Sequence, residues 1–361
     1  MRRSRVILCS LTIIALAGLG YFGWRRFVQS RDLAEARAAV GSRSGGQVLS
    51  KFARSYPDNA EMAFLYGRHL RMEGRIDEAI THLIQAGDKG WNGSQVDREL
   101  LLARSQTDIR LAEPGLLKLL NQNPQDDEIL LAMSLGYSRQ LNAKKAEILV
   151  ESVLERRPND GLARCLRGRI MLQRGQPHMA LPDLEEACRL GADRWYYPEA
   201  RLLLANCLLD VGRFEESLHA FRESREEEPD NLKILLGEAR CYWFLDQWDQ
   251  AAKVFREILR IDPNHLDALS QLAYICEERG ELDEARRLLE RAAKVDTTWA
   301  ELSFRLVKVL NALGETDRAG AYLKQAEKMK NQYAKPRTSP FTMNNSYTGE
   351  QTKSLRGSSG P

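Results

Sequence analysis

The chain has 361 residues, with 53 Lys or Arg against 50 Asp or Glu, a formal net charge of +3. At 29% charged residues this is an ordinary balance, so no electrostatic footprint for nucleic acid is present and none is expected as a partner. The six cysteines include no Cys-x-x-Cys pair, and the five histidines (His69, His82, His178, His219, His265) are scattered. Neither a metal centre nor a disulfide framework is expected from that pattern.

Residues 1–5 form a basic head with Arg2, Arg3 and Arg5, and residues 6–24, Val6 to Trp24, are 19 residues without a charge. As a helix rising ~1.5 Å per residue they would span roughly 28 Å, close to a bilayer core. Tyr21, Phe22 and Trp24 gather at one end, where aromatic rings favour the headgroup level, and Arg25-Arg26 follow at once. The expectation is a single-pass transmembrane signal anchor. Ala15-Leu16-Ala17 also fits a cleavage pattern, which leaves a secreted soluble protein as the alternative. The short basic head would place the rest of the chain outside the cytoplasm. The five later cysteines, odd in number and without a disulfide pattern, lean the other way. Gly18-Leu-Gly20-Tyr-Phe-Gly23 spells a dinucleotide fingerprint, but it lies in the apolar span and follows no strand.

From Ala79 onward a small residue recurs at Ala79, Ala112, Ala146, Ala180, Ser217, Ala251, Ala285 and Ala319. The intervals are 33, 34, 34, 37, 34, 34 and 34 residues, a period that predicts a solenoid whose units pack on their neighbours. With that residue at position 20, units begin near Ala60, Gly93, Asp127, Gly161, Pro198, Leu232, Leu266 and Ala300. Position 8 is mostly small (Gly67, Ser134, Gly168, Ala205, Ala239, Ala273), and position 24 is large and apolar (Leu83, Leu116, Val150, Leu184, Phe221, Phe255, Leu289, Leu323). Small residues facing large ones allow two helices to approach closely. Glycine at position 15 (Gly74, Gly175, Gly212, Gly280, Gly314) ends the first helix in a left-handed conformation. Acids just after it, such as Asp77-Glu78 and Asp283-Glu284, are expected to cap the second helix and complement its dipole. Proline at position 32 (Pro124, Pro158, Pro229, Pro263) closes the unit.

The pattern resembles the tetratricopeptide repeat. Gly67, Leu70, Gly74, Ala79, Leu83 and Ala86 stand where that family places its Gly, Tyr, Gly, Ala, Phe and Ala, and Ala239, Tyr242, Ala251, Phe255, Ile258 and Pro263 repeat the match. The resemblance implies an all-α, right-handed superhelical solenoid of stacked helix-turn-helix units over residues 60–333, preceded by the one transmembrane helix. Residues 25–59 read as a juxtamembrane linker with a degenerate ninth repeat, because Gly45 replaces the alanine and Gly41-Ser-Arg-Ser-Gly-Gly46 interrupts the unit. The unit at Gly93 is irregular too, with Leu100 at position 8 and Pro114-Gly115 in its second helix. Trp195-Tyr196-Tyr197 mark a three-residue insertion, expected to plug a widened junction. The tail, 334–361, is rich in Ser, Thr, Asn, Gly and Pro and is expected to be disordered.

In such arrays the first helix of each unit lines a concave groove. The resemblance therefore assigns a ligand face to Arg68, Arg71, Arg104, Arg139 and Arg169 in the N-terminal half. In the C-terminal half it assigns Leu202, Asn206, Leu209, Leu236, Arg240, Trp243, Phe244, Tyr274, Phe304 and Lys308. The face suits a protein or an extended peptide, whose acidic groups would meet the arginines and whose apolar anchors would dock near Trp243. Recruitment of an anionic polymer or glycan is the alternative. The family's carboxylate clamp is not matched, since Leu202 replaces its lysine. No catalytic constellation and no cofactor motif occurs, so the expectation is a binding scaffold, not an enzyme, in bacterial envelope assembly.

Overall fold

The computed structural model describes residues 28–296 and 300–332. The predicted membrane span and the predicted disordered tail both lie outside those residues. Among the described residues no helix is long and apolar enough to cross a membrane. Eighteen helices account for the described fold, beginning with α1 at 28–39 and α2 at Gly45–Ser55. Eight antiparallel pairs follow: α3 (Ala60–Met72) with α4 (Ile76–Asp88), α5 (Gly93–Thr107) with α6 (Ile109–Gln122), α7 (Asp127–Arg139) with α8 (Ala143–Arg156), and α9 (Gly161–Gln173) with α10 (Pro177–Gly191). Then come α11 (Tyr197–Asp210) with α12 (Phe214–Glu227), α13 (Leu232–Phe244) with α14 (Trp248–Ile261), α15 (Leu266–Glu278) with α16 (Leu282–Val295), and α17 (Ala300–Ala312) with α18 (Thr316–Gln332). The first helices of these pairs start within a residue of the positions that the period predicts.

The repeated residues do what their sizes require. Every position-20 residue from Ala79 to Ala285 is fully buried, as is every position-24 residue from Leu83 to Leu289. A β-carbon on Gly168 would stand 2.6 Å from Leu184 Cγ, so glycine there sets the distance between α9 and α10. Where serine takes the small position, its hydroxyl finds a carbonyl: Ser134 Oγ donates to Ala146 O at 2.8 Å and Ser217 Oγ to Ala205 O at 2.7 Å. The five position-15 glycines all have positive φ, from 69° to 82°.

Residues 28–55 form a helix pair where the sequence reads as a linker with a degenerate repeat, and residues 40–44 make the turn between α1 and α2, Gly45 and Gly46 already belonging to α2. One expectation changes. The acids after the position-15 glycines lie in the first turn of the second helix, yet Arg75 and Arg213 occupy the cap positions and make no side-chain cap bond. Side-chain caps are made by other residues: Asp108 and Asn142 cap the second helices α6 and α8, and several first helices are capped too. Asn59, Asp126 and Asp160 accept from the N–H groups of Met62, Ile129 and Ala163.

The chain divides into two compact units, unit 1 running to Ala200 and unit 2 starting at Arg201. Among the described residues of unit 1, one apolar cluster gathers around Leu49, Phe52, Met62 and Leu83 and another around Leu102, Ile129, Val150 and Ile170. Unit 2 has one continuous core, from Ala205 through Phe221 and Phe255 to Ala319. Tyr196 is the plug that its sequence suggests. It is buried, and its ring fills the space where β-carbons on Gly161 and Gly191 would stand.

Candidate docking face

In unit 1 the first helices α3, α5, α7 and α9 lie side by side. Their predicted groove arginines meet the chain's own acids. Arg71 Nε donates to Glu99 at 2.6 Å and Arg71 Nη2 to Glu128 at 2.5 Å. Arg68 also pairs with Glu128, at 3.1 Å, and Arg98 joins at 2.9 Å from the same carboxylate. Burial works to raise the Glu128 carboxyl, but Arg71, Arg68 and Arg98 overcome it and hold the group down at about 2. Arg169 pairs with Glu199. Arg139 donates to the Gln106 carbonyl at 3.0 Å. Burial, then the charge of Arg169, pushes the Arg139 guanidinium down. Arg104 is exposed at the end of α5. The row of arginines is therefore largely matched from within, which sequence reasoning missed. Of the acids that do it, Glu128, at position 2 of its unit, lies on the helix face that Arg68 occupies in its own and could have been read there, whereas Glu99, at position 7, lies off that face.

Unit 2 is arranged differently. Trp243 stacks on Trp248, centroids 6.0 Å apart, and meets Tyr274 at 5.2 Å, while Trp248 and Tyr274 stand 6.1 Å apart. The three rings remain partly exposed and join α13, α14 and α15. Trp248, from the start of a second helix, is a member that the groove positions do not reach. The Arg305 guanidinium lies 5.7 Å from the Tyr274 ring centroid and is held by Glu277 at 2.5 Å. Tyr274 thus joins the aromatic wall to a charged neighbour.

One turn before Trp243 on α13 stands Arg240. Its Nε is buried and has no hydrogen-bond partner among the described residues. Burial pushes its guanidinium down, and the neighbouring Asp210, then Cys241 and Asp267, push it part of the way back up. Asp210 is itself raised by burial. A desolvated guanidinium with an unused donor is a costly arrangement for the free protein and a ready one for a ligand oxygen.

The remaining predicted residues divide between wall and core. Leu236 and Leu202 are half-buried against the core, Phe304 is half-buried, and Lys308 is exposed. Asn206 donates to the carbonyl of Leu202 at 2.8 Å, within its own helix. Phe244 departs from the groove reading and stacks on Phe214 at 5.1 Å, between helix pairs. Leu209 departs too, lying buried in the core. Cys207, Cys241 and Cys276 are buried as small core residues. The Cys276 thiol lies within 4.8 Å of the Glu281 and Glu284 carboxylates. Burial, then Glu284 and Glu281, push it up to about 12.

Comparison with known proteins agrees with this architecture. Models described as tetratricopeptide repeat match residues 25–93, 165–231, 202–265 and 245–303, together more than half of the chain. No curated protein sequence matches. Among solved structures, the APC/C hetero-tetramer Cut9-Hcn1 is similar at 12% identity with a TM-score of 0.56, over 80% of this chain and 56% of that one. A Pseudomonas aeruginosa pilF structure aligns at 17% identity and a TM-score of 0.49, over 58% of this chain and 92% of its own. YrrB, described as a TPR protein with an unusual peptide-binding site, aligns at 18% identity and a TM-score of 0.38, over 61% of this chain and 95% of its own.

Proposed function

We propose that this tetratricopeptide-repeat protein is a docking scaffold that receives a segment of another protein on the α13–α15 face of unit 2. The observation that carries the reading is Arg240, whose buried Nε lacks a partner one turn from the Trp243, Trp248 and Tyr274 wall. An acidic or carbonyl oxygen of the partner satisfies the guanidinium, and an apolar side chain covers the rings. The polymer alternative is weakened by unit 1, where Arg68, Arg71 and Arg169 already hold carboxylates.

The uncharged stretch at residues 6–24 supports a tether that raises the local concentration of this face near membrane partners. The reading is completed by a role in bacterial envelope assembly, with the repeats outside the cytoplasm. Alkaline extraction of membranes, followed by protease treatment of intact cells, tests the tether and its orientation. Release of the full-length chain from membranes, or its shortening by signal cleavage, ends that part of the reading.

Docking is tested by placing a photo-crosslinking residue at Leu236 of the intact protein in its own membrane. The captured partner segment is then titrated as a purified peptide. Trp243→Ala and Arg240→Ala should each weaken it by at least about tenfold, whereas Arg104→Ala leaves it unchanged. Undiminished binding to both of the first two variants overturns the site.

A further inference from the structure

Two of the places where the repeat departs from its period lie far apart in sequence, the Gly41–Gly46 interruption and the insertion at Trp195 to Tyr197. In unit 1 these two departures meet. Arg43 N–H donates to the Asp193 carbonyl at 2.8 Å, and Trp195 N–H donates to the Gly41 carbonyl at 3.2 Å. Ser42 and Arg194 thereby face each other as an antiparallel bridge. The Arg43 guanidinium lies 5.0 Å from the Tyr197 ring centroid. Each side is braced from behind. Gly41 has φ +80° and donates its N–H to His69 Nδ1 at 3.2 Å, and Tyr196 is packed against Gly161 and Gly191.

A second set of contacts also skips a helix pair. Arg68 and Arg71 on α3 reach Glu128 on α7, past the intervening α5. Stacked pairs normally touch only their neighbours, so a bond that passes over one depends on the curvature of the stack. Neighbour bonds, such as Arg71 to Glu99 and Arg98 to Asp126, do not have this dependence.

We propose that the pairing of residues 41–43 with 193–195 is a clasp that holds unit 1 curved, and that opening it parts Arg68 and Arg71 from Glu128 so that they accept an acidic peptide segment. Backbone hydrogen bonds and a cation–π contact are individually weak enough to open reversibly. Straightening moves α3 away from α7 while the neighbour bonds persist, so the released donors belong to Arg68 and Arg71. Arg71 is 4% exposed, and Arg68 Nε is buried 3.4 Å from the Glu99 carboxylate, so neither guanidinium exchanges Glu128 for water cheaply. A carboxylate-rich segment is the ligand chemistry that takes the place of Glu128.

The test uses the full chain carrying Ser42→Cys and Arg194→Cys, since facing residues of an antiparallel bridge have the spacing a disulfide needs. The single-cysteine variants serve as controls for the native thiols. Fluorescein-labelled octaglutamate is titrated by anisotropy at low salt. The reduced chain should bind at least about tenfold more tightly than the oxidised, stapled chain, and Arg68→Ala/Arg71→Ala should abolish the difference. Failure of the disulfide to form overturns the clasp. Equal binding by the oxidised and reduced chains, or no binding by the reduced chain, overturns the gating.

Discussion

Leu141 and Asp246 hold the same strained backbone, φ 59° and 55°, at the same position of two different repeats. Five other repeats place glycine there. The turn between the paired helices demands the left-handed conformation whatever residue occupies it, and Leu141 meets that demand with its side chain 79% exposed. Leu141→Gly should therefore stabilise the protein by about 1 kcal/mol, the relief of left-handed strain less the added chain entropy. Asp246→Gly should gain less, because aspartate tolerates this region better. Chemical denaturation midpoints compare the two.

Gly237 packs under Phe221, and a β-carbon there would stand 2.2 Å from the ring. Phe221 is fully buried and cannot retreat. Gly237→Ala should destabilise by about 1–3 kcal/mol. Gly320→Ala, where nothing lies within 4 Å, should instead stabilise α18 by about 0.5–1 kcal/mol. Opposite shifts of the thermal midpoint for the same chemical change would verify the packing.

Glu128 sets a pH dependence. Its carboxyl falls from 4.5 to about 2 in the folded chain, so its contribution is present above pH 4.5 and is lost as pH falls towards 2. Glu128→Gln should cost on the order of 2 kcal/mol at pH 7 and flatten the stability profile between pH 4.5 and 2. Urea titrations at several pH values measure both effects. A parallel profile for the variant would remove Glu128 from the network.

Arg240 separates stability from binding. Arg240→Leu removes a desolvated charge with an unused donor and should raise the stability of the free protein by about 1 kcal/mol while weakening partner capture. Calorimetry of the free variant beside the peptide titration gives the two signs. A loss of stability would mean that Arg240 serves the fold.

Tyr196→Ala should leave a void beside Gly161 and Gly191 and destabilise unit 1 by about 3 kcal/mol. Hydrogen exchange at the Arg43 and Trp195 amides should rise with it, since both depend on the insertion staying in place.

The sequence determined the helix pairs by itself, because their causes are local. Glycine at the turn, proline after the second helix and small residues facing large ones act within one unit of the period. Where Gly45 replaces alanine the helices still form, since the small residue's task is close approach, and Gly45 lies against Ala39 O and His69. The partners of the charged groups were a different matter. Arg71 meets Glu128 across 57 residues, and Gly41 meets Trp195 across four helix pairs. Only the tertiary structure decided these, because they depend on curvature, the accumulated sum of small angles between neighbouring pairs. For the same reason the groove arginines, alike in sequence, differ in their surroundings: Arg68, Arg71 and Arg169 hold carboxylates, Arg104 is exposed, and Arg240 keeps a buried Nε without a hydrogen bond.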